Sequence, residues 1–167
     1  MWERLQQKHT LCGPERELAL TTTIKSRAEL DREGRDFRRA IEVWIALHPG
    51  VNLSTNLCDP ERGRFPLDCC KATSLMFGQH LLPSVGAARL HLVNGVRDGE
   101  SHLWLQCDEF YVDLTADQFD DQDEQVLVVP VDSCEWHSTF RPWSVWPFEL
   151  RKDHAFVQYA DEVSKLM

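Results

Sequence analysis

The segment Gly63-Arg64-Phe65-Pro66-Leu67-Asp68-Cys69-Cys70-Lys71-Ala72-Thr73-Ser74-Leu75 takes the chain from a loop into a helix that begins at a thiol. Pro66 disfavours a helical conformation at Phe65, so the helix is expected to begin after it. Asp68 is the expected N-cap, because its carboxylate can accept a hydrogen bond from a backbone N–H two or three residues further on. Cys70 then lies in the first turn, where free amides and the helix dipole favour a thiolate. This thiol is a candidate nucleophile, although cysteine more often packs as a small buried hydrophobe.

The length and composition indicate one folded domain. Of the 167 residues, 43% are hydrophobic and 27% are charged, which are ordinary values for a globular protein. We divide the domain into an N-terminal helical part (1–50), a core with the candidate site (51–131) and an aromatic-rich C-terminal part with a short closing helix (132–167).

The charge and the cysteine pattern exclude several classes of function. The net charge is -9, which argues against binding to nucleic acid or to an anionic membrane surface. The chain has no apolar run of spanning length and no apolar leader at its N-terminus. Its six cysteines are irregularly spaced, without a Cys-x-x-Cys pair. Free thiols and a cytoplasmic location are therefore expected.

Helical patterns flank the candidate site. Ser26 and Glu29 have the capping-box spacing, and they predict a helix from about Arg27 to Leu47 with one apolar face, an opposite face rich in Arg and Asp, and a candidate break at Gly34. The helix that begins at Cys70 is expected to be largely buried and to stop before Pro83.

The later segments are predicted from their composition. Val126–Val131 is expected to form a buried strand, and the acidic stretch 120–125 a solvated loop. The aromatic and proline-rich stretch 136–148 is expected to wrap irregularly over the sheet or to line a groove. A short helix is expected between Asp153 and Leu166.

A hairpin pattern in 101–115 brings a histidine and a carboxylate together. Two β-favouring runs flank Asp108-Glu109, which predicts a tight turn there. With that turn, His102 and Asp113 lie on the same face as diagonal neighbours, about 7–8 Å apart at Cα. The register therefore allows a hydrogen bond between the two side chains, and a slip by one residue would remove it.

Cys70, His102 and Asp113 are the three components of a cysteine-type catalytic triad. The cysteine attacks as a thiolate, the histidine pairs with it and later protonates the leaving group, and the aspartate fixes the tautomer and orientation of the ring. The sequence predicts that these three residues form an active site.

Three sequence segments in this order resemble those of the transglutaminase-like branch of the papain-like cysteine enzyme superfamily, including small bacterial proteins of this fold. They are Phe65-Pro66 through Cys70 with Ser74, then Ser101–Leu105, then Val112–Phe119. The resemblance implies an α+β fold in which a helix bearing the nucleophile packs on an antiparallel sheet bearing His and Asp. The position of Ser74 in the motif favours Cys70 over Cys69 as the nucleophile.

The resemblance implies an enzyme that acts on an amide or thioester of a protein, a peptide or a small molecule through an acyl-cysteine intermediate. Protease, deamidase, transglutaminase and acyltransferase activities all stay open, and no cofactor is expected. Cys69 is expected to be a neighbour of the nucleophile, Trp104 to pack beside the triad, and Gln118 or the 52–64 loop to supply a second oxyanion donor after the N–H of Cys70.

Two other functions are open at this point. The fold could be a binding module whose thiol is never activated, with Lys71 blocking the site. A metal site made of Cys70, His102, Asp113 and Cys107 has suitable ligand types, but Cys107 is predicted to point to the opposite face of the strand from His102. The remaining candidate histidines, which have no matching partner in the sequence, are expected to be surface or capped side chains: His80, His91, His137 and His154.

Overall fold

The structure is a computed structural model that describes residues 23–51, 53, 65–149 and 154–167. Within these residues the helices are α1 (Arg27–Leu47), α2 (Cys70–Val85) and α3 (Ala155–Ser164), and the strands are β1 (Leu90–Arg97), β2 (Glu100–Cys107), β3 (Phe110–Asp113), β4 (Leu127–Pro130) and β5 (Arg141–Pro147). The strands form one antiparallel sheet in the order β4-β3-β2-β1-β5. The helices pack on this sheet, so the expected α+β class, with α2 against an antiparallel sheet, is confirmed.

Helix α1 begins at the predicted capping box. The backbone N–H of Glu29 donates to the Ser26 hydroxyl at 3.3 Å, and the Ser26 N–H donates to the Glu29 carboxylate at 2.8 Å. The helix is continuous through Gly34, so the expected break is wrong. A Cβ at Gly34 would lie 3.1 Å from Cγ1 of Val126, and glycine is therefore used there for close packing rather than for a turn.

Arg38 shows that the polar face of α1 is not wholly exposed. Its side chain is buried, donating to the Leu114 carbonyl at 2.6 Å, to the Gln125 carbonyl at 2.9 Å and to both carboxylate oxygens of Asp117 at 2.7 and 2.8 Å. The face rich in Arg and Asp therefore includes a buried arginine that the sequence pattern does not distinguish from its neighbours. Arg38 fixes the segment that follows Asp113 against α1.

Helix α2 begins at Cys70 as predicted, but its cap differs from the prediction. Cys69 is the N-cap residue and makes no side-chain capping bond. Asp68 has a φ of 55°, a left-handed conformation that differs from the extended one in which a carboxylate caps a helix. The helix also continues past Pro83 to Val85, so the expected stop before this proline is wrong.

Two tight hairpins build the centre of the sheet. In the predicted one, Cys107 pairs with Phe110 and Gln106 with Tyr111, so the expected turn and register are confirmed. The other joins β1 to β2 through Asp98 and Gly99, whose φ angles of 54° and 87° are both positive. Asp-Gly is a strong two-residue hairpin signal, and this second turn adds to the one predicted at Asp108 and Glu109.

The C-terminal part is more regular than expected. Strand β5 pairs with β1 along one edge of the sheet, so the prediction of an irregular wrap for this stretch is wrong. Proline is tolerated there because an edge strand does not need every N–H for pairing. Strand β4 forms the opposite edge and is mostly half-buried, with Val128 buried, so the expectation of a fully buried strand is corrected. The predicted closing helix is α3.

Most of the 52–64 loop, and also Cys12 and Cys58, lie outside the described residues. The described cysteines, Cys69, Cys70, Cys107 and Cys134, are free thiols. No helix in the described part of the chain is long and apolar enough to span a membrane.

Candidate active site

The two adjacent cysteines at the start of α2 have different environments. Cys69 is buried, and its Sγ–H donates to the Leu67 carbonyl at 3.2 Å. Burial, together with the neighbouring charges of Cys70 and Asp68, raises the pKa of Cys69 to about 12. Cys70 is half-exposed and lines a cleft. The geometry therefore favours Cys70 over Cys69 as the accessible thiol, in agreement with the position of Ser74 in the motif.

His102 and Asp113 form a buried pair, as the hairpin register predicted. Nε2 of His102 lies 2.5 Å from Oδ2 of Asp113, and both side chains are inaccessible to solvent. The aspartate is the last residue of β3, so the short turn at Asp108 and Glu109 determines this contact. With its N–H on Nε2, the ring presents Nδ1 as the nitrogen free for another partner.

Asp113 is a fully hydrogen-bonded carboxylate. Its Oδ1 accepts from the backbone N–H of Thr115 at 2.9 Å and from the Thr115 hydroxyl at 3.3 Å. Its Oδ2 lies within hydrogen-bonding distance of His102 and, at 3.2 Å, of Nε2 of His137. Burial raises the pKa of Asp113, but the charge of His102 and the hydrogen bonds from both histidines outweigh burial and hold it well below its usual range. The carboxylate is therefore ionised although it is buried.

The environment of His102 favours the imidazolium. Burial lowers the pKa of the ring. The charge of Asp113 and its hydrogen bond raise this pKa by more than burial lowers it, and the interaction with Cys70 raises it as well. The resulting pKa is about 9. Cys70 and Asp113 thus both raise the pKa of the same ring, and the structure shows a direct contact for the His102–Asp113 part of the predicted triad. The role of Cys70 as its third member stays a prediction.

Aromatic side chains enclose the His102 ring. Their ring centroids lie between 5.0 and 5.9 Å from that of His102, and the residues are Trp104, Phe119, Trp136 and Phe140. Trp104 is almost wholly buried, which agrees with a packing role beside the triad. This enclosure excludes water from the His102–Asp113 pair and strengthens its electrostatic interaction.

Gln118 contacts the histidine directly. Its Nε2 lies 3.0 Å from Nδ1 of His102 and 3.4 Å from the Thr115 hydroxyl. The amide can donate to Nδ1 of a neutral ring or, turned by 180°, accept from the Nδ1–H of the imidazolium. Gln118 also lines a depression of about 640 Å³ that is separate from the cleft at Cys70. The structure therefore shows Gln118 as a partner of the ring, and its predicted oxyanion role stays a prediction.

His137 lies in an environment that the sequence does not predict. A surface or capped side chain is predicted, but His137 is buried against Asp113, and its Nδ1 lies 2.8 Å from Sγ of Cys134. The two residues are three positions apart in a tight turn that precedes β5. The available signal is the Cys-x-x-His spacing of Cys134 and His137, which leads into the aromatic stretch; the prediction of an irregular stretch gives no partner for this histidine.

Three other histidines lie away from the triad. His80 is half-buried between helices, 2.8 Å from the Ser164 hydroxyl and 3.2 Å from the Glu33 carboxylate, so the expectation of a surface residue is wrong for it. His154 is the N-cap residue of α3, where its Nδ1 accepts from the Phe156 N–H at 3.2 Å. This agrees with the expectation of a surface or capped side chain. His91 is half-buried on β1.

The cleft at Cys70 has a volume of about 480 Å³. Apolar side chains make up much of its wall, and polar groups lie near the thiol and along one side. The apolar residues are Leu75, Leu92, Leu103 and Trp146, and the others are Asp68, Lys71, Asn94 and Ser101. Trp146 is 44% exposed, so a large aromatic surface is open to a ligand beside the thiol.

The described residues contain no group of three or more His, Cys, Asp and Glu side chains arranged to bind a metal ion. Cys107 is buried in the helix-side core, whereas Trp104, on the same face of β2 as His102, belongs to the smaller aromatic cluster. The four residues of the predicted metal site are therefore not brought together.

Comparisons of this chain with protein-family models, with curated proteins and with solved structures found no match. The geometry of the described residues is therefore the basis for the functional argument.

Proposed function

We propose that the protein is a cysteine-dependent acyl-transfer enzyme in which Cys70, His102 and Asp113 act as nucleophile, acid–base and orienting carboxylate. The observation that supports this best is the buried 2.5 Å contact between Nε2 of His102 and Asp113. The Cys70 thiol contributes to the raised pKa of the same ring. A buried, fixed carboxylate is what a catalytic histidine needs to keep one tautomer and to accept a proton on its other nitrogen.

In the proposed reaction the thiol proton of Cys70 passes to Nδ1 of His102, and the thiolate sulfur attacks the acyl carbon. Collapse of the tetrahedral intermediate breaks the bond to the leaving group, which takes the proton from Nδ1. Water or an amine then attacks the acyl-cysteine and gives its proton to the ring. The thiolate leaves, and the acid or the new amide is released.

The surroundings of the thiol suggest where the acyl group binds. The cleft has room for a side chain or a small acyl group, with Leu75, Leu103 and Trp146 as apolar contacts. The backbone N–H of Cys70, at the first turn of α2, is the proposed first donor to the oxyanion. A protein or peptide, or a small amide or thioester, is the proposed class of substrate, in line with the resemblance to the transglutaminase-like branch.

Acylation by p-nitrophenyl acetate tests the proposal without knowledge of the natural substrate. We expect the protein to release p-nitrophenol at least about a hundredfold faster than glutathione does in its reaction with the same ester. The reason is that general acid–base catalysis by a positioned side chain adds about two to four orders of magnitude to the rate. Mass spectrometry should find one acetyl group on Cys70. Cys69→Ala is the matched control and should retain the reaction, whereas Cys70→Ala should lose it. Equal rates for the wild type and Cys70→Ala would contradict the proposal.

A second candidate function is a binding module on the same fold, and the Gln118 contact is the observation in its favour. If the amide keeps Nδ1 of His102 occupied, the ring cannot accept the thiol proton, and the cleft would serve only to bind. Gln118→Ala distinguishes the two functions. A Cys70 thiol that becomes reactive only in this variant would indicate a binding module, whereas a wild-type thiol that is already reactive would indicate an enzyme.

A further inference from the structure

Asp113 belongs to two cysteine–histidine pairs rather than to one. On one side it contacts His102, which neighbours Cys70. On the other side its Oδ2 lies 3.2 Å from Nε2 of His137, whose Nδ1 lies 2.8 Å from Sγ of Cys134. All members of the second pair are buried, so the arrangement is part of the interior of the protein.

The hydrogen-bond chemistry of the second pair has one consistent direction. Because Asp113 is ionised and only accepts, Nε2 of His137 must donate to it. A neutral His137 then has a lone pair on Nδ1, and the thiol of Cys134 is the donor to that lone pair. Burial raises the pKa of Cys134, which agrees with a protonated thiol as the donor.

We infer that His137 and Cys134 are positioning residues for the triad, with His137 donating to Asp113 and Cys134 fixing the tautomer of His137. This inference rests on the proposed function for its catalytic meaning. The hydrogen bond from His137 uses the lone pair of Oδ2 that does not accept from His102. The backbone N–H and the hydroxyl of Thr115 donate to Oδ1. Every acceptor direction of the buried carboxylate is then used, so Asp113 keeps its orientation and its charge beside His102.

Removal of the His137 donor should therefore act on Cys70 without any direct contact to it. We expect His137→Phe to slow iodoacetamide alkylation of Cys70 at pH 7 by about tenfold, because a hydrogen bond to an ionised carboxylate is stronger than one between neutral groups. The phenyl ring keeps the packing against Trp104 and Trp136, whose centroids lie 4.8 and 5.0 Å from that of His137.

The conservative variant separates positioning from packing. His137→Gln places an amide N–H where Nε2 was, and we expect it to keep the alkylation rate of Cys70 within about threefold of the wild type. The pH profile of alkylation should be displaced in His137→Phe and unchanged in His137→Gln. A His137→Phe protein that folds and labels Cys70 at the wild-type rate would overturn the inference.

Two further measurements keep the test decisive. If His137→Phe does not fold, Cys134→Ala and Cys134→Ser replace it, and we expect slower labelling only for Cys134→Ala, which lacks a donor to Nδ1. If wild-type Cys70 is not reactive at all, the proposed function fails, and the proton resonance of Nε2–H of His102 then tests the inference alone. Displacement of that resonance in His137→Phe or Cys134→Ala supports it, and an unchanged resonance overturns it.

Discussion

The buried His102–Asp113 pair predicts how the stability of the protein depends on pH. Burial lowers the pKa of His102, but the charge and hydrogen bond of Asp113, with the smaller effect of Cys70, raise it from 6.5 to about 9 in the folded state. Each pKa unit corresponds to about 1.4 kcal/mol, so protonation of this ring stabilises the folded state by roughly 3 kcal/mol. The full effect is present below about pH 6.5, where both states are protonated, and is lost as the pH rises through about 9.

His102→Gln removes this stabilisation, and urea unfolding under reducing conditions measures the change. Between pH 6 and pH 9.5 we expect the unfolding free energy of the wild type to fall by roughly 3 kcal/mol more than that of the variant. The buried thiols Cys69 and Cys107, whose pKa values burial raises to about 12, also destabilise the folded state at alkaline pH. They do so equally in both proteins, so their contribution cancels in the difference.

His91→Gln is the matched control, since it removes a half-buried histidine from the neighbouring strand β1. Its unfolding free energy should follow the wild type across the same pH range. If the wild type and His102→Gln differ by the same amount at pH 6 and pH 9.5, within about 0.5 kcal/mol, the reasoning about the ion pair is refuted.

Two further predictions concern the scaffold of the site. Gly78→Ala should lower the unfolding free energy by about 1–3 kcal/mol, because a Cβ there would lie 2.2 Å from the buried Phe148 ring and the core is already filled. Urea titration measures the change, and an unchanged midpoint would contradict this packing. Arg38→Ala should cost about 3–5 kcal/mol, since it removes a buried guanidinium and leaves the half-buried Asp117 carboxylate and two carbonyls without their donor. Its control Arg39→Ala, at an exposed position of the same helix, should change stability by less than about 0.5 kcal/mol, and equal losses would contradict the role of Arg38.

The hairpin between β2 and β3 shows why part of the site was predictable from sequence. The period of two along a strand and the position of one tight turn determine which side chains share a face. His102 and Asp113 could therefore be paired from the sequence alone. The start of α2 at Cys70 followed in the same way from local signals, the proline before it and the helical spacing after it.

The parts that were missed depend on contacts between distant segments. The strand identity of β5 comes from pairing with β1, and local proline content predicted the opposite. His137 reaches Asp113 only because the turn before β5 folds over the end of β3. The burial of Arg38 similarly depends on carbonyls that follow β3 and precede β4. No local periodicity encodes such contacts, so sequence patterns alone could not show them.

The pH dependence of Cys70 alkylation by iodoacetamide, mapped by mass spectrometry in the wild type and in His102→Ala, tests the central claim most directly. A thiolate–imidazolium pair predicts fast labelling of Cys70 that persists well below pH 8 in the wild type and is lost in the variant. Labelling of Cys70 in both proteins at the rate of an ordinary accessible thiol, such as that of glutathione, would contradict the proposed chemistry.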